Sequence, residues 1–388
     1  MSSARPGRLS GVVRIVLALV AVFVAVPQAQ LTRPGNTERL KTQSDRALDT
    51  APPNFGRLLT PRQAGVRVLG VDVRETSSSQ TISIDLSQRA LTYEPSGNIE
   101  PLLDAIIEAT ASATGPQYLV QYRFTIEGLP VDQFLPRAAR LSRQAQSLDA
   151  GGLVLVSPGH GLYWDETLSS WHLQRPRIRG IVEDLVNWDI ARYLRDDLLT
   201  RNINTQMARY PEADDTAGPS GSARWQEAAK YFIQALGAPG DIWNYGIDDY
   251  ARDINARPFY ANWIDAAALV SVHNNAGAQT GTETWYDDSN GLEGESARLA
   301  QTVNTHVVSA IRERYNVNWT DRGLRVCNGC KGENRLATRP SIIVEVAYMD
   351  TATPDNDALH DDAFRRIVAE AIADGIFEWA SAEDDGRR

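Results

Sequence analysis

The 388-residue chain predicts an α/β fold: a mainly parallel sheet covered by helices on both faces, preceded by a smaller α+β domain. Three observations predict it. Continuous apolar runs, "LVLVS" at Leu153, "ALVSVH" at Ala268 and "SIIVEVA" at Ser341, are separated by long helix-like stretches, the pattern of parallel strands buried on both sides. An earlier stretch alternates strictly instead, with Tyr118, Val120, Tyr122, Phe124 and Ile126 on one face and Gln121, Arg123, Thr125 and Glu127 on the other. All nine Trp lie between Trp164 and Trp379, and none precedes Gly151, so composition divides the chain in two.

With 43% hydrophobic residues the chain can bury a large core, and its net charge of −10 offers no basic face for nucleic acid or anionic lipid. No nucleic-acid partner is expected. Residues 1–30 read as a signal peptide or an uncleaved N-terminal anchor, because Arg5, Arg8 and Arg14 precede the apolar run from Ile15 to Val26. That run is short for a membrane span, while Pro27 is ill placed for cleavage after Ala29, so both readings stay open. Either one predicts export to the cell envelope or beyond it.

Residues 31–64, punctuated by Pro34, Gly35, Pro52, Pro53 and Pro61, are expected to form an exposed linker. From 65 to 136, "VRVLGVDV" at Val66, "TISIDL" at Thr81, a helical stretch from Glu100 to Ala113 and the alternating strand make the small α+β domain. Across about residues 66–130 the string "ISIDLS...LLDAIIEATASATG...VQYRFTIEGLP" resembles the GerM-type spore-germination domain found in exported bacterial envelope proteins. The resemblance implies an envelope-protein partner for this domain. It carries no reactive cluster, so a chain beginning near Gly151 is expected to keep the chemistry. Residues 137–150 form a second linker, and the main domain runs from 151 to 382.

In a parallel sheet, sites form at the C-terminal ends of strands. "VLVSPGHG" ends an apolar strand on His160, clasped by Gly159 and Gly161, and His273 closes "ALVSVH". A lone His after a strand is more often structural than a ligand. Glu345, in the middle of "SIIVEVAYM", is the sharper signal: an unpaired carboxylate there costs several kcal/mol, so it faces a partner, a metal or an open cleft, unless its strand is an edge facing water. In "RGIVEDLVNWDIARYLRDDLL", Ile181, Leu185, Trp188, Ala191 and Leu198 fall at helical spacing with Glu183 in the first turn. Acids are common there, where they meet the positive end of the helix dipole. Periodicity does not choose between Glu183 and Asp184.

Taken in order, "VLVSPGHG", "GIVEDLVNWDIARYL", "DINARPFYANWIDAAALVSVHNNAG" and "TRPSIIVEVAYMDTATPDNDAL" resemble the signature blocks of the zinc-dependent N-acetylmuramoyl-L-alanine amidases, bacterial cell-wall hydrolases with an α/β fold. The likeness spans about residues 151–380. It implies that His160, Glu183 and His273 bind zinc, that Glu345 is the catalytic acid/base, and that Glu183 rather than Asp184 is the ligand. A His₂Glu set leaves a fourth position for water, whose pKa zinc brings to about 7, and a neighbouring Glu can carry that proton to the leaving nitrogen. The implied substrate is peptidoglycan, cut between the lactyl group of N-acetylmuramic acid and L-alanine. Two alternatives are a zinc peptidase acting on another peptide and an inactive wall-binding module. No HExxH is present, and no HxxE follows at His160 or His172.

Cys327 and Cys330, the only cysteines, stand in "VCNGCKG"; one CxxC cannot close a four-ligand zinc site, and in an exported chain a local disulfide is favoured. His172, His306 and His360 lack a partner motif and read as structural or solvent-facing, with cleft lining open to His172. Residues 204–250 depart from the amidase pattern as an insertion, a loop "YPEADDTAGPSGS" followed by the helix "ARWQEAAKYFIQALG". It is either a lid over the cleft or a peripheral helix. Trp164 and Trp171 are either core aromatics or a wall for sugar or peptide.

Overall fold

The computed structural model describes residues 34–49, 60–93, 99–115, 119–135, 152–246 and 248–385. The export segment expected at 1–30 and the linker expected at 137–150 lie outside them. Among the described residues no helix is long and apolar enough to cross a membrane.

The strands in chain order are β1 (Val68–Glu75), β2 (Ser79–Leu86), β3 (Leu119–Ile126), β4 (Leu129–Pro130), β5 (Val154–Pro158), β6 (Leu162–Asp165), β7 (Ser170–Leu173), β8 (Thr205–Met207), β9 (Ala268–Asn275), β10 (Thr282–Asp287), β11 (Asp321–Cys327) and β12 (Ser341–Tyr348). The helices are α1 (Pro34–Ala47), α2 (Glu100–Thr110), α3 (Glu183–Thr200), α4 (Ala229–Ala235), α5 (Gly240–Trp243), α6 (Asp249–Trp263), α7 (Glu293–Arg314), α8 (Gly332–Arg335), α9 (Asp357–His360) and α10 (Asp362–Asp385).

One sheet runs β1-β2-β3-β11-β10-β12-β9-β5-β8, with β4 appended to β3 and β6-β7 a separate hairpin. Its pairings are parallel except β1/β2, β10/β12 and β3/β4. The three apolar runs become β5, β9 and β12, which lie side by side, and β12 is buried at every position. Alternation along each strand then serves two faces. Val154, Val156, Val270 and Val344 join Trp188 and Leu194 of α3, Val303 of α7 and Ile372 of α10 in one core, while Leu155 and Leu269 meet Ile233 of α4 and Tyr260 of α6 on the other side.

The N-terminal segment extends this same sheet. β3 pairs in parallel with β11, Val120 beside Arg325 and Tyr122 beside Cys327. Val120, Tyr122, Phe124 and Ile126 are buried, as their alternation implies, in a core shared with Trp285, Cys327, Cys330 and Ile343 from the later half of the chain. Tyr118 lies outside the described residues.

The linker expected at 31–64 needs correction, because it contains α1. Leu40, Ser44, Ala47 and Leu48 are buried, and the three apolar ones pack into the N-terminal core. Proline and glycine counts obscured a stripe at i, i+4, i+7 and i+8, the spacing of an amphipathic helix.

Candidate metal centre and its cleft

The two glycines around His160 exist because two other parts of the chain press against them. A Cβ on Gly159 would lie 2.4 Å from His273 Cε1, and one on Gly161 would lie 2.6 Å from the Ala228 backbone. His160 itself adopts φ +61°, an unusual conformation for a side chain of its size. Buried arginines hold this turn from both sides. Arg257 donates to Ser157 Oγ (2.9 Å) and to the carbonyls of Pro158 (2.5 Å) and His160 (2.8 Å), while Arg209 donates to the carbonyls of Gly159 (3.3 Å) and Asp184 (2.8 Å).

Glu183 opens α3 and reaches both imidazoles: its Oε1 lies 3.2 Å from His160 Nε2 and 3.5 Å from His273 Nδ1. The rings meet edge to face with centroids 4.7 Å apart. One donor atom from each of the three residues falls within 4.8 Å of the others, a spacing that a single cation can bridge. Asp184 turns the other way and accepts from the backbone amides of Gly161 (3.0 Å) and Gln174 (2.9 Å). Glu183 is further fixed by Asn187 Nδ2 (3.2 Å) and the Asn274 amide (3.0 Å).

Each histidine is also held at its remote ring nitrogen. His160 Nδ1 faces Gln174 Oε1 at 3.0 Å, and His273 Nε2 faces Glu333 Oε1 at 3.2 Å. Burial lowers the pKa of His160. Burial works the same way on His273, but Glu333 and Glu183 outweigh it and raise that pKa to about 10 in the metal-free chain. Burial disfavours ionised Glu333 in turn, yet His273, Arg257 and the Ser271 hydroxyl hold its pKa down at about 2. These bonds settle which nitrogen of each ring faces inward.

Glu345 sits on β12 in register with His273 on β9, so both side chains leave the sheet on the same face. It is 8% exposed, and its Oε2 has no hydrogen-bond partner among the described residues. Burial pushes its pKa up to about 7 against the opposing pull of His273 and Lys331. Because β12 lies between β9 and β10, the edge-strand alternative falls away.

Glu345, His160, Glu183 and His273 line one open cleft. One wall comes from the N-terminal segment, as Glu100, Asp104 and Glu108 of α2 face the same space. Glu108 is exposed on this wall, close enough to Arg175 for the two charges to interact. The N-terminal segment thus contributes to the wall of the cleft.

The profile of the N-acetylmuramoyl-L-alanine amidase family matches residues 154–378, more than half of the chain. The chain belongs to this family. Three solved structures similar to the amidase are as follows: amidase AmiC2 of Nostoc punctiforme, 22% identical, covering 60% of this chain and 98% of its own, TM-score 0.39; amidase Ami1 of Mycobacterium smegmatis, 18% identical, covering 61% and 100%, TM-score 0.42; and amidase CwlD of Clostridioides difficile in complex with the GerS lipoprotein, 16% identical, covering 60% and 99%, TM-score 0.39. No curated protein sequence matches.

Other expectations for the amidase meet plain outcomes. Of residues 204–250, only Tyr250 lines the cleft among those described. Within this stretch β8 pairs with β5, and Arg209 ties the segment to the His160 turn and to the carbonyls of Trp225 and Glu227 (both 2.9 Å). Trp164 and Trp171 pack on each other, and Trp171 packs on Tyr231, outside the cleft lining. His172 bonds Ser170 (2.7 Å), His306 bonds Glu378 (2.6 Å) and His360 bonds the Arg179 carbonyl (3.2 Å); none lines the cleft. Cys327 and Cys330 form a disulfide. Sequence reasoning missed Gln174, Glu333, Arg257 and the α2 acids. The last left a readable trace, three carboxylates at four-residue spacing opposite an apolar stripe.

Proposed function

We propose that this amidase cleaves the bond between N-acetylmuramic acid and L-alanine in peptidoglycan, using one zinc ion held by His160, Glu183 and His273 and Glu345 as the acid/base. The observation that carries the reading is the convergence of three donor atoms within 4.8 Å in a cleft that also holds a buried carboxylate oxygen, Glu345 Oε2, with no hydrogen-bond partner among the described residues. Two imidazoles and one carboxylate suit zinc and leave room for a further ligand. Bound there, zinc supplies Lewis acidity to the scissile carbonyl and to the attacking water.

The protein's own groups do the rest. Glu345 Oε2 takes a proton from the attacking water as its oxygen bonds to the carbonyl carbon, and returns that proton to the leaving nitrogen as the C–N bond breaks. A pKa near 7, set by burial, suits both directions of transfer at neutral pH. Gln174 and Glu333 orient the rings from behind, Asn187 with the Asn274 amide keeps Glu183 in place, and His160, His273 and Arg175 overcome its burial to hold its pKa well below the ordinary carboxylate value.

We further propose that the protein is exported, a reading supported by the arginine-flanked apolar run at residues 1–30 and by the disulfide, and that the GerM-like N-terminal segment contacts an envelope partner. The decisive experiment is mass analysis of products from purified sacculi treated with the zinc-loaded protein. Intact stem peptides freed from glycan are the expected products. Single amino acids would mean a peptidase, and sacculus binding without release would mean a wall-binding module.

A further inference from the structure

We propose that Glu100, from the N-terminal segment, is a positioning residue for the metal centre, acting through Glu333 on His273. The inference rests on the metal reading above. Glu333 is carried by α8, a single turn between β11 and β12, too short to set its own direction. Its anchors decide where it points. Glu100, itself 6% exposed, grips α8 on both sides of Glu333: its Oε2 accepts from the Gly332 amide at 3.1 Å, and its Oε1 pairs with Arg335 Nη2 at 2.6 Å. Gly332 leaves the necessary room, since a Cβ there would lie 2.7 Å from Glu100 Oε2. Arg335, 5% exposed, also donates to the Gly329 carbonyl at 2.7 Å, so the ion pair braces the whole turn. Glu333 then meets His273 Nε2 at 3.2 Å and accepts from Ser271 Oγ at 2.5 Å.

The second ionic tie from α2 differs in kind. Asp104 holds Lys331 at 2.8 Å, but both side chains keep some exposure (24% and 18%), so this pair is more screened than the buried one. Glu100 and Arg335 are both buried, so their pair is little screened and breaking it is costly. A carboxylate behind a ligand histidine fixes its tautomer and direction, and losing such support costs about 10- to 100-fold in metal affinity.

The test measures the zinc dissociation constant of the full chain by chelator competition, across a pH series and at a temperature where each variant is folded by circular dichroism. Glu100→Ala should weaken zinc binding about 10-fold or more. Glu100→Gln should weaken it less, because its carbonyl still accepts from Gly332, and Asp104→Asn should stay within about twofold. A purely structural role would lower the melting temperature yet leave the dissociation constant and its pH dependence in place. If Glu100→Ala fails to fold, Glu100→Gln decides: a rise of about threefold or more supports the coupling and a smaller one overturns it. An equal rise in Asp104→Asn also overturns it. Zinc binding by the unaltered chain with unchanged Glu100 variants sinks the coupling alone; no zinc binding by the unaltered chain sinks the metal reading with it.

Discussion

One methyl group added at Gly159 should dismantle the metal centre while leaving its strand intact. The Cβ of Gly159→Ala would lie 2.4 Å from His273 Cε1, 2.5 Å from Nε2 and 2.6 Å from Nδ1. Carbon contacts settle near ~3.5 Å or beyond, so the ring or the turn must retreat by roughly 1 Å. Neither yields readily: Glu333 and Glu183 hold the ring, and Arg209 and Asn187 Nδ2 (both 3.3 Å) hold the Gly159 carbonyl. Gly159 is not among the residues with positive φ, so the backbone tolerates alanine and the effect is purely steric. Metal sites accept errors of about 0.2 Å, and disturbing what holds a ligand in place costs about 10- to 100-fold in metal affinity. Zinc affinity should fall by that factor. Chelator competition measures it, with the melting temperature of the metal-free protein recorded alongside. Gly294→Ala on α7, where a Cβ meets nothing within 4 Å, is the control and should be neutral or stabilising by up to about 1 kcal/mol. Zinc binding by Gly159→Ala within about threefold of the unaltered chain would refute the steric reasoning.

Glu345→Gln should keep the fold and the zinc yet lose on the order of 10²- to 10⁴-fold in turnover, whereas His160→Ala and Glu183→Ala should lose the metal itself. Zinc stoichiometry measured beside muropeptide release separates these outcomes, and near-normal turnover in Glu345→Gln would sink the acid/base role. Burial raises the Glu345 pKa to about 7 without metal, a nearby dication lowers it, and a base must be ionised to act. Accordingly kcat/KM should fall as pH drops through a value at or below about 7, and a pH–rate profile of Glu345→Gln should lack that limb. A chain starting near Gly151 loses β3 from the flank of β11, uncovers Trp285 and Ile343, and lacks Glu100. It should aggregate or melt well below the full chain; a melting temperature within about 2 °C would restore the view that the main domain stands alone.

Some of this architecture was legible because burial leaves a local mark. β5, β9 and β12 are largely apolar since helices cover both their faces, and β3 alternates since only one of its faces is fully buried. Glu345 stood out because a carboxylate within such a run needs an external reason. Pairing leaves no such mark: nothing at Val120 names Arg325 as its neighbour. Glu333 was invisible for the same cause, since one helical turn has no period and its role exists only once α8 lies against β9. The acids of α2 carry no local sign of a partner, and the join of β3 to β11 brings their face to the cleft.

That join also orders events in time. The Phe124 amide donates to Asn328 Oδ1 across 204 positions, and the N-terminal core is incomplete until Trp285, Cys327, Cys330 and Ile343 arrive. At about 5–20 residues per second, synthesis leaves roughly 10 to 40 s in which β3 has an uncovered edge and its apolar face lacks a lid. Such an edge is a template for pairing with a neighbouring chain, and long-range parallel pairing is slow to form. The N-terminal segment, though synthesised before its partners, therefore cannot complete its core or cover its β3 edge until they arrive.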